Sequence, residues 1–93
     1  MKYIRTEKKI GIAPTLAEIP SFIQQSDTIE ELCDEFVCYG DLENKIFHIA
    51  DTFDVAKNVM QHMGYKCCYG AIWTDKGLIY VAKMNKEGKL CLI

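Results

Sequence analysis

From residue 66 onward the chain alternates its side chains in three runs separated by two glycine-containing turns, and this pattern constrains the fold more than any other feature. Cys67–Thr74, Leu78–Met84 and Leu90–Ile93 carry the period of two that belongs to extended strands. Asp75-Lys76-Gly77 reads as a three-residue hairpin loop with glycine in the left-handed position, and Asn85–Gly88 reads as a second turn. The segment therefore predicts a three-stranded antiparallel meander. Strict alternation places Leu78, Tyr80, Ala82 and Met84 on one face, and Ile79, Val81 and Lys83 on the other. Both faces are largely apolar. Helices should cover one of them, and an N-terminal hairpin or a second copy of the chain should cover the other.

Upstream, Ile29, Leu32, Cys33 and Phe36 repeat at helical spacing, with Asp27 placed to cap and Glu30 at the third helical position. Asp34 and Glu35 would oppose the dipole of a helix C-terminus, so the helix should stop near Cys33 or Asp34. A strand over Phe36–Tyr39, a loop over Gly40–Asn44 and a returning strand over Lys45–Ala50 follow. A second helix is predicted from a cap at Asp51 to Gly64. Its buried stripe is Phe53, Ala56, Val59, Met60 and Met63, and its wet face is Lys57, Asn58, Gln61 and His62. At the N-terminus, Tyr3–Arg5 and Lys9–Ile12 suggest two short extended pieces. Between Ala13 and Ser26, two capping boxes flank Pro20, which leaves helix and strand both open for Ser21–Gln25. Together these elements predict an α+β fold in a single domain over residues 1–93: an antiparallel sheet, ending in the meander, packed against two short helices.

Ninety-three residues with 49% hydrophobic content can build one core and no second domain. No apolar run is long enough to span a bilayer, and MKYIRTEKKI lacks the apolar stretch of a signal peptide, so a cytoplasmic location is expected. The net charge of −2 excludes a strongly basic nucleic-acid binder, but it conceals segregation. Residues 1–10 sum to +3, residues 11–56 to −9 and residues 57–93 to +4. Such blocks make either a solvated surface or an acidic face that steers a basic partner.

The raw material for catalysis is thin. Five cysteines (Cys33, Cys38, Cys67, Cys68 and Cys91) form no C-x-x-C pair, and His48 and His62 are too far apart for a zinc half-site, so neither metal nor cofactor is expected. Cys67 and Cys68 are neighbours in a strand and should point to opposite faces. Cys38 and His48 lie on strands that should pair, which makes them the single nucleophile and base worth considering, yet nothing in the sequence orients the imidazole. There is no phosphate loop and no hydrolase elbow, and the protein is expected not to be an enzyme. Tyr65, Tyr69, Trp73 and Tyr80, interleaved with Lys66, Lys76 and Lys83, could stack single-stranded bases. Core packing is the simpler use of the same aromatics.

MKYIRT, DTIEELCDEFV at 27–37 and YGAIWTDKGLIYVAKMN at 69–85 resemble a group of short, uncharacterised proteins of phages and prophages from low-GC Gram-positive bacteria. Ile10–Ser26 departs from that group, where a longer N-terminal hairpin is expected. The resemblance implies an accessory protein that binds and inhibits a host protein, such as a defence nuclease or effector, by steric and electrostatic occlusion. An anti-CRISPR or other anti-defence inhibitor is of this kind. The partner-binding residues would then be Glu30, Glu31, Asp34, Glu35, Asp41 and Glu43, presented to a basic surface. The alternatives are a structural phage component that self-associates, including as a homodimer through the C-terminal sheet, or a small single-stranded nucleic-acid-binding module.

Overall fold

The computed structural model describes residues 19–41, 43–44, 46–75 and 77–93. The extended pieces expected before residue 13 lie outside the described residues. Helices α1 (Ser21–Gln24), α2 (Ile29–Leu32) and α3 (Phe53–His62) accompany five strands: β1 (Glu35–Asp41), β2 (Ile46–Ala50), β3 (Cys67–Thr74), β4 (Gly77–Met84) and β5 (Leu90–Leu92). The strands form one sheet in the order β2-β1-β3-β4-β5, antiparallel throughout. The fold is α+β, and the C-terminal meander is its β3-β4-β5 half. Ser21–Gln25, left open by sequence, begins with the helix α1.

Both caps fall one residue later than the acids expected to supply them. Thr28 precedes α2 and makes no side-chain cap. Thr52, in extended conformation, accepts the Val55 N–H on Oγ1 at 3.2 Å. At the other end of α3, Gly64 adopts φ 71, and Met63, expected in the buried stripe, stands 59% exposed. Ala56 and Val59 are buried, while Lys57, Asn58, Gln61 and His62 face solvent as predicted.

The sheet has two apolar faces. On the helix side, Ile29 of α2 and Ala56 and Val59 of α3 pack with Ile23, Phe36, Cys38, Cys68, Ile72, Ile79, Val81 and Leu90. Phe36 is 1% exposed and meets Phe53 at 5.6 Å between ring centroids. On the opposite face Val37, Tyr39, Ile49, Ala71 and Leu78 form a second buried cluster, flanked by Phe47, Cys67, Tyr69 and Tyr80. Cys67 and Cys68 thus fall on opposite faces.

Strict alternation in β4 fails at one place. Gly70 pairs with Ala82 but Ala71 pairs with Tyr80, which leaves Val81 as an extra residue on β4, a β-bulge. Leu78 and Tyr80 belong to the second face, as their spacing predicts. Past the bulge the pattern inverts: Ala82 and Met84 join Ile79 and Val81 on the helix side, and Lys83 moves to the other face, with Nζ 5.7 Å from the centre of the Tyr69 ring. The physical reason is plain in the sequence: an unbroken strand would have pushed Lys83 into the row with Ile79 and Val81, under the helices.

Gly70 has its own requirement. A Cβ there would lie 2.6 Å from the Cys33 Sγ that follows α2, and 3.2 Å from Leu90 Cδ1. Gly70→Ala is therefore expected to destabilise the fold by about 1–3 kcal/mol through overpacking. Combined with Cys33→Ala, the two costs should sum to less than their separate values, because the second change removes the obstructing sulfur. Urea midpoints read this directly, and strict additivity would contradict the contact.

Candidate functional site

The six acids singled out from sequence do not form one patch. Asp34 precedes β1 and Glu35 starts it, whereas Asp41 ends it and Glu43 follows, so the two pairs stand roughly 20 Å apart along the strand. Asp34 binds β3: its N–H donates to the Ala71 carbonyl at 2.8 Å, and its Oδ2 accepts the Trp73 N–H at 2.9 Å. Glu35 is 1% exposed, and its Oε2 accepts the Trp73 indole N–H at 3.3 Å. A buried, hydrogen-bonded carboxylate is not a docking residue. Asp41 organises the following turn, accepting the backbone N–H groups of Glu43 at 2.9 Å and Asn44 at 3.3 Å and the side-chain amide of Asn44. The bonds from Asn44 hold its carboxyl below the ordinary range, with Glu43 and the Lys66 charge adding smaller pulls. Glu31 and Glu43 remain exposed and Glu30 half-buried.

Cys38 and His48 are direct partners across β1 and β2, as their spacing suggested, but the thiol engages other groups. Cys38 Sγ lies 3.4 Å from Cys68 Sγ and 3.9 Å from the Ala56 carbonyl, and the His48 ring meets Tyr65 edge-on at 6.3 Å. The hydrogen bond with Cys38, together with burial, pushes the Cys68 thiol up. Cys33 is pushed up to about 12, first by burial and then by the charges of Asp34 and Glu30. Tyr80 is raised by burial and by its 2.6 Å contact with the Tyr39 hydroxyl. These groups hold their protons in the folded chain past the pH at which the unfolded chain loses them. Their contribution to stability is complete below pH 9.0, the ordinary thiol value, and falls as pH rises through the folded values. Thermal melts should accordingly show a steady drop in Tm above about pH 9. A Tm flat to pH 11 would contradict this placement of the thiols and phenols.

The feature with the geometry of a binding site is elsewhere, at the rim where β3 begins and β4 ends. A cleft of about 780 Å³ is lined by Met60, Tyr69, Met84, Leu92 and Ile93, with Lys66, Lys83 and Lys86 around it. An adjoining lobe of about 340 Å³ adds Lys57 and Gln61 from α3, and one carboxylate, Glu87. The main cleft by itself falls in the range of small-molecule sites. Each part has a local cause. The bulge at Val81 turns Met84 toward the helix side and Lys83 over Tyr69. The Lys66 backbone N–H is fixed by the Tyr39 carbonyl at 2.8 Å. Asn85 builds the turn carrying Lys86: its Oδ1 accepts the N–H groups of Glu87 at 3.0 Å and Lys89 at 2.9 Å, and Gly88 takes φ 80.

Sequence reasoning noted these lysines only as part of an aromatic platform, and the platform is dispersed. Tyr69 and Tyr80 stack on the second face at 4.7 Å, Tyr65 packs toward the helix-side cluster, and Trp73 is held by Glu35 near the other end of β3. The available signal was the +4 sum of residues 57–93 together with Lys83 standing in an apolar row.

Among the described residues, no group of three or more His, Cys, Asp or Glu side chains is placed to hold a metal ion, and no helix is long and apolar enough to cross a membrane. No family model matches the chain, and no significant match is found among curated proteins or solved structures.

Proposed function

We propose that this protein is a binding module without catalytic chemistry, which takes an anionic, partly apolar ligand in the lysine-rimmed cleft. The observation that carries this reading is the arrangement of Lys57, Lys66, Lys83 and Lys86 around a half-buried floor of Met60, Met84 and Leu92. Cations on flexible stems attract charge from solution, and the thioether and aliphatic floor adapts to whatever apolar group follows. A small cytoplasmic phage protein that inhibits a host factor by occupying its surface would need such a module and no active site. The exposed Glu31 and Glu43, with the half-buried Glu30, leave room for a second contact with a basic surface, at a different place on the molecule.

Titration with anilinonaphthalene sulfonate, an anion carrying apolar rings, tests this reading. Saturable fluorescence enhancement that weakens as salt is added is the expected result. Absence of enhancement, or enhancement indifferent to salt, would overturn it.

A further inference from the structure

We infer that the occupant of the cleft is an acidic protein segment in which carboxylates alternate with apolar side chains; the inference deepens the anion-binding reading and rests on it. Three observations select this ligand over the other polyanions a lysine cleft could take.

The first is the absence of a stacking platform among the described residues. Single-stranded nucleic acid gains much of its affinity from bases laid on exposed aromatic faces. Among the described residues Tyr69 is the aromatic side chain of the cleft, and its ring is already engaged: Tyr80 stacks on it at 4.7 Å with an interplanar angle of 9°, and Lys83 Nζ lies 5.7 Å from its centroid. What the cleft offers in place of aromatic faces is aliphatic and thioether surface from Met60, Met84, Leu92 and Ile93. That surface suits leucine-like side chains.

The second is the openness of the site. Lys66, Lys83, Lys86, Cys91 and Ile93 are exposed, and the floor residues are only half-buried. A free amphiphile would keep much of its apolar surface wet in such a cleft. A protein segment brings flanking surface that closes over the rim, and exclusion of water is what gives central contacts their strength.

The third is the kind of cation. Among the described residues, the four cations at the cleft are all lysines, compact charges with rotatable donors, and none is a guanidinium that would grip a phosphate through two parallel bonds. Carboxylates spaced along a segment need no such fork. Their spacing can match lysines distributed along the cleft and its adjoining lobe.

Calorimetric titration of the full chain with three probes tests the inference: a short acetylated peptide alternating glutamate and leucine, polyglutamate, and oligothymidylate. The alternating peptide should bind about tenfold or more tighter than either of the others. Equal affinity for polyglutamate would reduce the site to bare charge and overturn the inference. Tighter binding of oligothymidylate would overturn it in favour of nucleic acid while leaving an anion site in place. If none of the three binds but the sulfonate probe does, the inference fails and the anion-binding reading survives; if that probe fails as well, both fall. Light scattering on the same samples covers the remaining occupant, since a dimer that the peptide cannot dissociate would assign the cleft to a second copy of the chain.

Discussion

Glu35→Ala should lower stability by about 2–4 kcal/mol, a large share of what a domain of this size has to lose. The carboxylate is 1% exposed, at the first residue of β1, and its Oε2 receives the Trp73 indole N–H at 3.3 Å. Truncation removes the acceptor of the indole N–H and opens a void beside β3, and each of these carries its own cost. Glu35→Gln should recover part of the loss, because the amide oxygen can still accept from the indole. Glu31→Ala, on an exposed site of α2, should change stability by no more than about 0.5 kcal/mol. The comparison separates two meanings of an acidic residue in the same stretch. Equal urea midpoints for Glu35→Ala and Glu31→Ala would show that the β1–β3 contact contributes nothing.

This has a practical consequence for any charge-reversal experiment. Reversing all six acids from Glu30 to Glu43 at once would report on folding, since Asp34, Glu35 and Asp41 hold β3 and the β1–β2 turn. A test of the acidic surface belongs on Glu30, Glu31 and Glu43 alone.

The second large effect concerns the cleft. Lys66→Glu combined with Lys86→Glu should weaken binding of the sulfonate probe by roughly a hundredfold, about 2.8 kcal/mol. Both side chains are exposed and neither is held in an ion pair among the described residues, so the substitutions should leave Tm close to that of the parent. Lys83 is the wrong choice for this purpose, since its ammonium lies over the Tyr69 ring and its loss would disturb the second face. Added salt should shrink the gap between parent and variant, because the lost term is Coulombic and solvent-exposed. A variant that keeps parental affinity would mean that the probe binds apolar surface elsewhere.

What the sequence made legible was local. The meander followed from alternation and two glycine turns, and α3 from a helical stripe closed by Gly64. The halt of the first helix before Asp34 followed from the dipole. What stayed hidden depended on partners distant in the chain. Asp34 and Glu35 read as solvated surface because their acceptor roles exist only once Trp73, 38 residues on from Glu35, lies beside them. The bulge at Val81 is set by pairing with β3, so alternation within β4 misassigned Ala82, Lys83 and Met84. The cleft is the extreme case. It is assembled from α3, the start of β3, the end of β4 and the C-terminal residues, and none of these segments alone carries a motif. Charge summed by block hinted at it, but the hint became a site only when the bulge turned Met84 to the helix side and Lys83 over Tyr69.

The central claim is that the lysine-rimmed cleft, and not the acidic stretch, is where this protein meets its ligand. Amide proton–nitrogen correlation spectra, recorded while the sulfonate probe is titrated, test it most directly. Saturable shifts should concentrate at Lys66, Lys83, Asn85, Lys86 and Leu92. Shifts centred on Glu30, Glu31 and Glu43, or spread evenly over the sheet, would contradict it.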